Sequence, residues 1–131
     1  MSPDELELIN IKISKAKELL AEVIDFHIEN KLWNTSVNRL YYACFQAVSA
    51  LLAGYDLNAR TDRGVRQLFS LHFVKTGKVN EATGEFYSTL FGMRQKADYE
   101  DLIEYERENI LPLVQPATDL ILIIEELLSK A

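Results

Sequence analysis

Apolar residues recur at alternating spacings of three and four along most of this chain, a rhythm that puts them on one face of successive helices. The tightest constraint falls between residues 37 and 55. One stripe there runs Val37, Tyr41, Cys44, Val48, Leu51 and Tyr55, and a second runs Leu40, Ala43, Ala47 and Ala50. A helix that is apolar on two sides has to be covered on both, so this segment is expected at the centre of a helical bundle. Asn34-Thr35-Ser36 supplies candidates for its N-cap.

Four further helices surround it in this reading. The first starts after Ser2, with Pro3 in the first turn and Asp4 and Glu5 beside the positive helix end, and carries the stripe Leu6, Ile9, Ile13, Ala16, Leu20, Val23 and His27. Gly54 and residues 56–62 read as a connection. A short third helix is marked by Val65, Leu68, Phe69, His72 and Phe73 and ends at Thr76-Gly77. The fourth runs from about Asn80 with Phe86, Leu90, Met93 and Ala97 inward, and closes on Asp98-Tyr99-Glu100-Asp101. The last carries Leu113, Ala117, Leu120, Ile124 and Leu127, and is expected to begin near Pro112 and Pro116 or to kink there. No segment alternates as a strand does, and no repeat appears.

At 131 residues and 48% apolar composition the chain fits one all-α domain, residues 1–131, with enough material for a core. The single cysteine, Cys44, cannot form an internal disulfide, which suits a reducing compartment. Met1-Ser2-Pro3-Asp4-Glu5 is acidic and leads into no unbroken apolar run, so a cytoplasmic protein without a membrane span is expected. A net charge of −6 argues against binding long nucleic acids over a broad basic surface. Arg60, Arg63 and Arg66, with Lys75 and Lys78, read as a solvated loop and helix face or as a local basic pocket. There is no Gly-rich phosphate loop, no His-Glu-x-x-His helix and no Glu-x-x-His pair, so neither metal nor cofactor is expected. The two histidines, His27 and His72, lie on or beside apolar stripes and read as hydrogen-bonded packing residues.

Two segments depart from a generic bundle: Asn38-Arg39-Leu40-Tyr41-Tyr42-Ala43-Cys44-Phe45-Gln46-Ala47 and Arg94-Gln95-Lys96-Ala97-Asp98-Tyr99. With Gly64-Val65-Arg66-Gln67-Leu68-Phe69 and Phe73-Val74-Lys75-Thr76-Gly77 between them, the chain resembles the HEPN family (higher eukaryotes and prokaryotes nucleotide-binding domains), in its small stand-alone bacterial and archaeal branch. The resemblance covers about residues 36–99 closely. It implies an up-and-down bundle of about five helices that pairs as a homodimer, with a polar cleft where two late-middle helices meet. It also implies either metal-independent ribonuclease activity or a toxin restrained by a small nucleotidyltransferase partner.

The family's ribonuclease motif is an arginine followed by histidine after four to six residues. Arg94 matches the arginine, but Tyr99, Glu100 and Asp101 stand where the histidine would fall. Two further departures are Gln46, after Tyr-Tyr-Ala-x-Phe, and Asp62-Arg63, just before the glycine of the third helix; related sequences often carry histidine at both places. Metal-free RNA cleavage needs a base, an acid and a cation for the phosphorane. Arg94 can supply the cation through its planar fork of donors. Tyr99 is a poor base because a phenol titrates near ~10, and Asp98, four residues after Arg94, can instead form a local ion pair of roughly 0.3 kcal/mol.

Three readings follow. In the leading one the module binds a nucleotide, an RNA end or a partner nucleotidyltransferase through Arg94, Asp98 and Tyr99, with Arg39 and Tyr42 completing the binding set. The enzyme alternative is a metal-independent ribonuclease in which Arg94, Asp98 and Tyr99 are catalytic. The third is a helical dimeric adaptor without nucleotide binding. A homodimer is expected because Tyr87, Phe91, Arg94 and Asp98 are read as one exposed, aromatic-rich face.

Overall fold

The computed structural model describes residues 1–99 and 102–131, which leaves Glu100 and Asp101 of the polar run outside the described residues. These residues form five α-helices and no strand: α1 (Pro3–Glu22), α2 (Trp33–Gly54), α3 (Asp62–Phe69), α4 (Glu81–Tyr99) and α5 (Arg107–Ser129). π-helical turns, Val23–His27 and Ser70–Val74, extend α1 and α3. The all-α bundle expected from the periodicity is therefore present. No helix among the described residues is long and apolar enough to cross a membrane.

The two apolar sides of α2 place it at the centre. Eleven of its residues are buried, from Ser36 to Leu52, and it packs against each of the other four α-helices. Cys44 lies fully inside this helix, and burial pushes its thiol pKa well up, so it packs as a small neutral side chain.

The helix ends follow their local chemistry, with one exception. Ser2 caps α1 by accepting from the Glu5 amide at 3.1 Å, Thr61 caps α3 by accepting from Gly64, and Asn80 accepts from the Thr83 amide at the start of α4. Gly77, at φ +80°, turns the chain after α3 and its π extension, a conformation that a Cβ would oppose. Helix α2 is the exception. It begins at Trp33 without a side-chain cap, so Asn34, Thr35 and Ser36 sit inside its first turn. Ser36 instead donates to the Leu32 carbonyl at 2.7 Å.

Asn34 has a long-range task. Its Nδ2 donates to the Ile103 carbonyl and its Oδ1 accepts from the Tyr105 amide, both at 2.9 Å, which fastens the α4–α5 connection to the start of α2. Helix α5 also differs from expectation, since it starts ahead of Pro112 and runs through both prolines. The two rings lie one turn apart and off the buried stripe of Ile110, Leu113, Ala117, Leu120, Ile121 and Ile124. Pro112 is exposed and Pro116 half-buried, and the residues whose carbonyls lose a donor, Glu108 and Pro112, are both exposed, so water can meet them. Glu106 and Asn109 form a reciprocal capping box that sets the start of α5 upstream of the prolines.

Replacing Asn34 by alanine removes both clamp bonds and should lower unfolding free energy by about 1–3 kcal/mol, seen as a lower urea midpoint at unchanged slope. An unchanged midpoint would show that the connection is held by other contacts.

Candidate active or binding site around Arg94

Helix α4 carries large apolar side chains on two adjacent faces, so periodicity alone leaves its rotation ambiguous. The face that turns inward is Tyr87, Leu90, Phe91 and Arg94, whereas Phe86, Met93 and Ala97 are only half-buried. This corrects the expectation that Tyr87, Phe91, Arg94 and Asp98 form one exposed surface. Of these only Asp98 is exposed; the others belong to the interior of this chain.

The physical reason lies in what surrounds Arg94. Its side chain is 8% exposed, and such a charge has to be compensated on the spot. Its Nη2 donates to Asp62 Oδ2 at 2.8 Å and its Nη1 donates to Asp98 Oδ2 at 3.5 Å. The guanidinium carbon sits 4.6 Å from the Tyr41 ring centroid, 5.7 Å from that of Tyr42 and 5.8 Å from that of Phe91. Burial works against the charge, but the Tyr41 and Tyr42 side chains and the Asp62 carboxylate outweigh it and raise the pKa further. Arg94 is a permanent cation.

Asp98 is held in turn from α2. Asn38 Nδ2 lies 3.2 Å from each carboxylate oxygen of Asp98. Tyr41 stacks on Tyr87 with centroids 6.0 Å apart and 11° between planes, and burial, then the Asp62 charge, pushes its phenol up to about 12. The Tyr87 phenol is likewise raised, first by burial. Both stay protonated at neutral pH. The Tyr41 hydroxyl lies near enough to Arg94 and to the Tyr87 hydroxyl to influence their titration, but neither hydroxyl nor the Nε of Arg94 closes a hydrogen bond of good geometry among the described residues.

Of the residues expected at the site, Arg94, Asp98 and Tyr42 come together. Tyr99 is 76% exposed and Arg39 is exposed, and no hydrogen bond or ion pair joins either to the Arg94 cluster. Asp62, Tyr41 and Asn38 are the partners that sequence reasoning did not assign. Asn38 carried a local signal, since it lies three and four residues before Tyr41 and Tyr42 on one side of α2. Asp62 stood out only as part of the Asp62-Arg63 departure from the family pattern and carried no local link to Arg94, which is 32 residues away.

The histidines stand apart from this cluster. His27 packs edge-on against Phe26 at 5.5 Å, and its Nδ1 is buried without a hydrogen-bond partner among the described residues, unlike the hydrogen-bonded role expected of it. His72 is half-buried in the second π turn. Among the described residues no group of three His, Cys, Asp or Glu side chains is placed to hold a metal ion.

The two carboxylates on Arg94 are unequal, and stability should show it. Asp62→Ala should cost about 1–3 kcal/mol, because it strips the close partner from a buried guanidinium. Asp98→Ala should cost less than about 1 kcal/mol, its contact being longer, at 3.5 Å against 2.8 Å. Equal losses in chemical denaturation would reverse that ranking.

Known proteins with similar sequences agree with this architecture. The model of the HEPN domain matches residues 10–127. A UPF0332 protein of Thermotoga maritima is 41% identical over 101 residues, covering 77% of this chain and 76% of its own length. A Methanocaldococcus jannaschii protein named "Putative toxin MJ0605" is 34% identical over 113 residues, covering 79% of this chain and 84% of its own. A second protein of that organism, "Putative toxin MJ0142", is 27% identical over 110 residues, covering 79% and 75%. With nearly its whole length matched, and the two tyrosines of α2 gathered on the arginine of α4, the chain belongs to the HEPN domain family.

Proposed function

We propose that this chain is the toxin-type HEPN module of a toxin–antitoxin-like pair, and that it works as a homodimer. Through the end of α4 around Arg94, Asp98 and Tyr99 it engages a phosphate-bearing ligand, a nucleotide or RNA end, or a partner nucleotidyltransferase. The observation that carries this reading is the guanidinium of Arg94. It is a fixed cation whose Nε has no hydrogen-bond partner among the described residues and whose Nη1 meets Asp98 at only 3.5 Å. A phosphate oxygen can replace Asp98 there while Asp62 keeps its closer contact on Nη2. The toxin names of the two Methanocaldococcus jannaschii relatives support the biological setting.

Binding is favoured over RNA cleavage by the lack of a poised base among the described residues. The Asp98 carboxylate already faces Asn38 and Arg94, Tyr41 and Tyr87 stay protonated, and Tyr99 is turned to solvent away from the guanidinium's partners. If Arg94 receives a phosphate, Arg94→Ala should weaken nucleotide or RNA binding by about 1.5–3 kcal/mol, and Arg94→Lys should restore only part of it. Calorimetry run beside RNA cleavage in chelator tests this. Metal-independent turnover that vanishes in Arg94→Ala, Asp98→Asn or Tyr99→Phe would replace the binding reading with a ribonuclease.

The homodimer now rests on a different surface from the inward-facing aromatics of α4. Tyr99 and Leu102, 76% and 96% exposed, lie at and just beyond the end of α4, and a two-fold partner would cover them. Light scattering at micromolar concentration should give twice the chain mass, and Leu102→Lys should shift it toward the monomer; a monomer mass for the unaltered chain would sink the proposal.

A further inference from the structure

A second concave site lies between α3 and α4, with Arg66 rather than Arg94 as its cation. Arg94 and Arg66 both stack on Phe91, at 5.8 Å and 4.6 Å from its centroid, but their circumstances differ. Arg94 has two carboxylates. Arg66 has no ion pair among the described residues, and its Nε is buried with no hydrogen-bond partner among them. A buried donor left unbonded costs about 1–3 kcal/mol, so in a folded protein it asks for an acceptor that the chain itself does not provide.

Arg66 lines a cavity of about 540 Å³ between α3, the π turn Ser70–Val74 and the first half of α4. Its inner side rests on the core. The buried rings of Phe69 and Tyr87 meet there edge to face, with centroids 5.6 Å apart. Gly84 brings α4 against the π turn, where a Cβ would come within 2.8 Å of Val74. Lys75 adds a second cation at the wall, and the Ser70, Ser88 and Thr89 hydroxyls add polar groups that can donate. Glu81 and Glu85 also line the cavity, and neither forms an ion pair with Arg66 or Lys75 among the described residues.

The geometry points to this cavity as a second ligand site, separate from the Arg94 cluster, for a small organic anion with a flat apolar body and a phosphate or carboxylate group. The anionic group sits between Arg66 and Lys75, and the ring lies against Val74 and the aliphatic stems of the two cations. Glu81 and Glu85 repel additional negative charge, which restricts the ligand to one anionic end. A cavity of this volume matches the usual size of small-molecule sites, in which apolar walls supply contact area and a few polar groups fix orientation.

The probes are phenyl phosphate, benzoate and inorganic phosphate, titrated into the full-length protein and followed by amide chemical shifts. Phenyl phosphate or benzoate should move the Ser88 and Thr89 amides, the stronger of the two identifying the anionic group, while inorganic phosphate, lacking the ring, binds more weakly. Losing a charge-assisted contact in Arg66→Gln should weaken the better probe about ten- to a hundredfold. Ser88→Leu fills the mouth from an exposed helix position, keeps both cations, and should also abolish binding, so a folding defect in the Arg66 variant does not decide the matter. Arg94→Lys should leave the affinity within about twofold, since the two sites are built from different cations. Failure of both ring-bearing probes at millimolar concentration would overturn the proposal. So would binding that survives Arg66→Gln and Ser88→Leu but is lost in Arg94→Lys, while that last result would leave the Arg94 reading standing.

Discussion

A helix with two apolar sides cannot lie at a surface, and the rest of this bundle is arranged to cover one. Helix α2 buries Leu40, Ala43, Ala47 and Ala50 as well as Val37, Tyr41, Cys44, Val48 and Leu51. Its small residues let neighbouring helices approach closely, and its larger ones fill the space between them. Because α1, α3, α4 and α5 all pack on this one element, polar groups that α2 carries near its start are delivered to its neighbours. Asn34 reaches the α4–α5 connection, Asn38 reaches Asp98, and Tyr41 and Tyr42 reach Arg94.

Within that arrangement the buried arginine is the main electrostatic expense. A guanidinium turned inward from α4 is tolerable only because α3 begins where Asp62 can meet it, and because aromatic rings from α2 and α4 lie against it. The same contacts tune its availability. Asp62 and Asp98 neutralise the charge that a phosphate would seek, so such a ligand would have to compete with Asp98 for Nη1. In a chain of net charge −6, local placement of a few cations matters more than any overall attraction for anions.

Arg66 shows the complementary case. Arg60, Arg63, Lys75 and Lys78 are exposed as a solvated basic face would be, and Lys78 lies 5.0 Å from the Tyr55 centroid. Arg66, one turn into α3, is drawn in by the Phe91 ring and keeps no carboxylate partner among the described residues. One basic cluster in the sequence thus divides into solvated side chains, an exposed Lys75 at the wall of a cavity and one guanidinium drawn in against it.

What the sequence determined by itself is what short-range periodicity and local chemistry encode. The helices, the central place of α2, the caps at Ser2 and the turn at Gly77, and the family membership carried by the Tyr41-Tyr42 and Arg94 segments were all legible from residues a few positions apart. Three features were settled only by tertiary structure. The rotation of α4 was ambiguous because Phe86 and Met93 compete with Tyr87 and Phe91 for the core, and the partners of Arg94 fixed it. Asn34 resembled a cap in sequence but became a clamp, because its acceptor and donor at Ile103 and Tyr105 lie far along the chain. Asp62 became the principal partner of Arg94 because packing of α3 and α4 on α2 brings a residue 32 positions away to 2.8 Å. A helix repeats every few residues and so can be read locally, whereas the choice of partner for a buried charge depends on which helices meet, and that is decided only when the core closes.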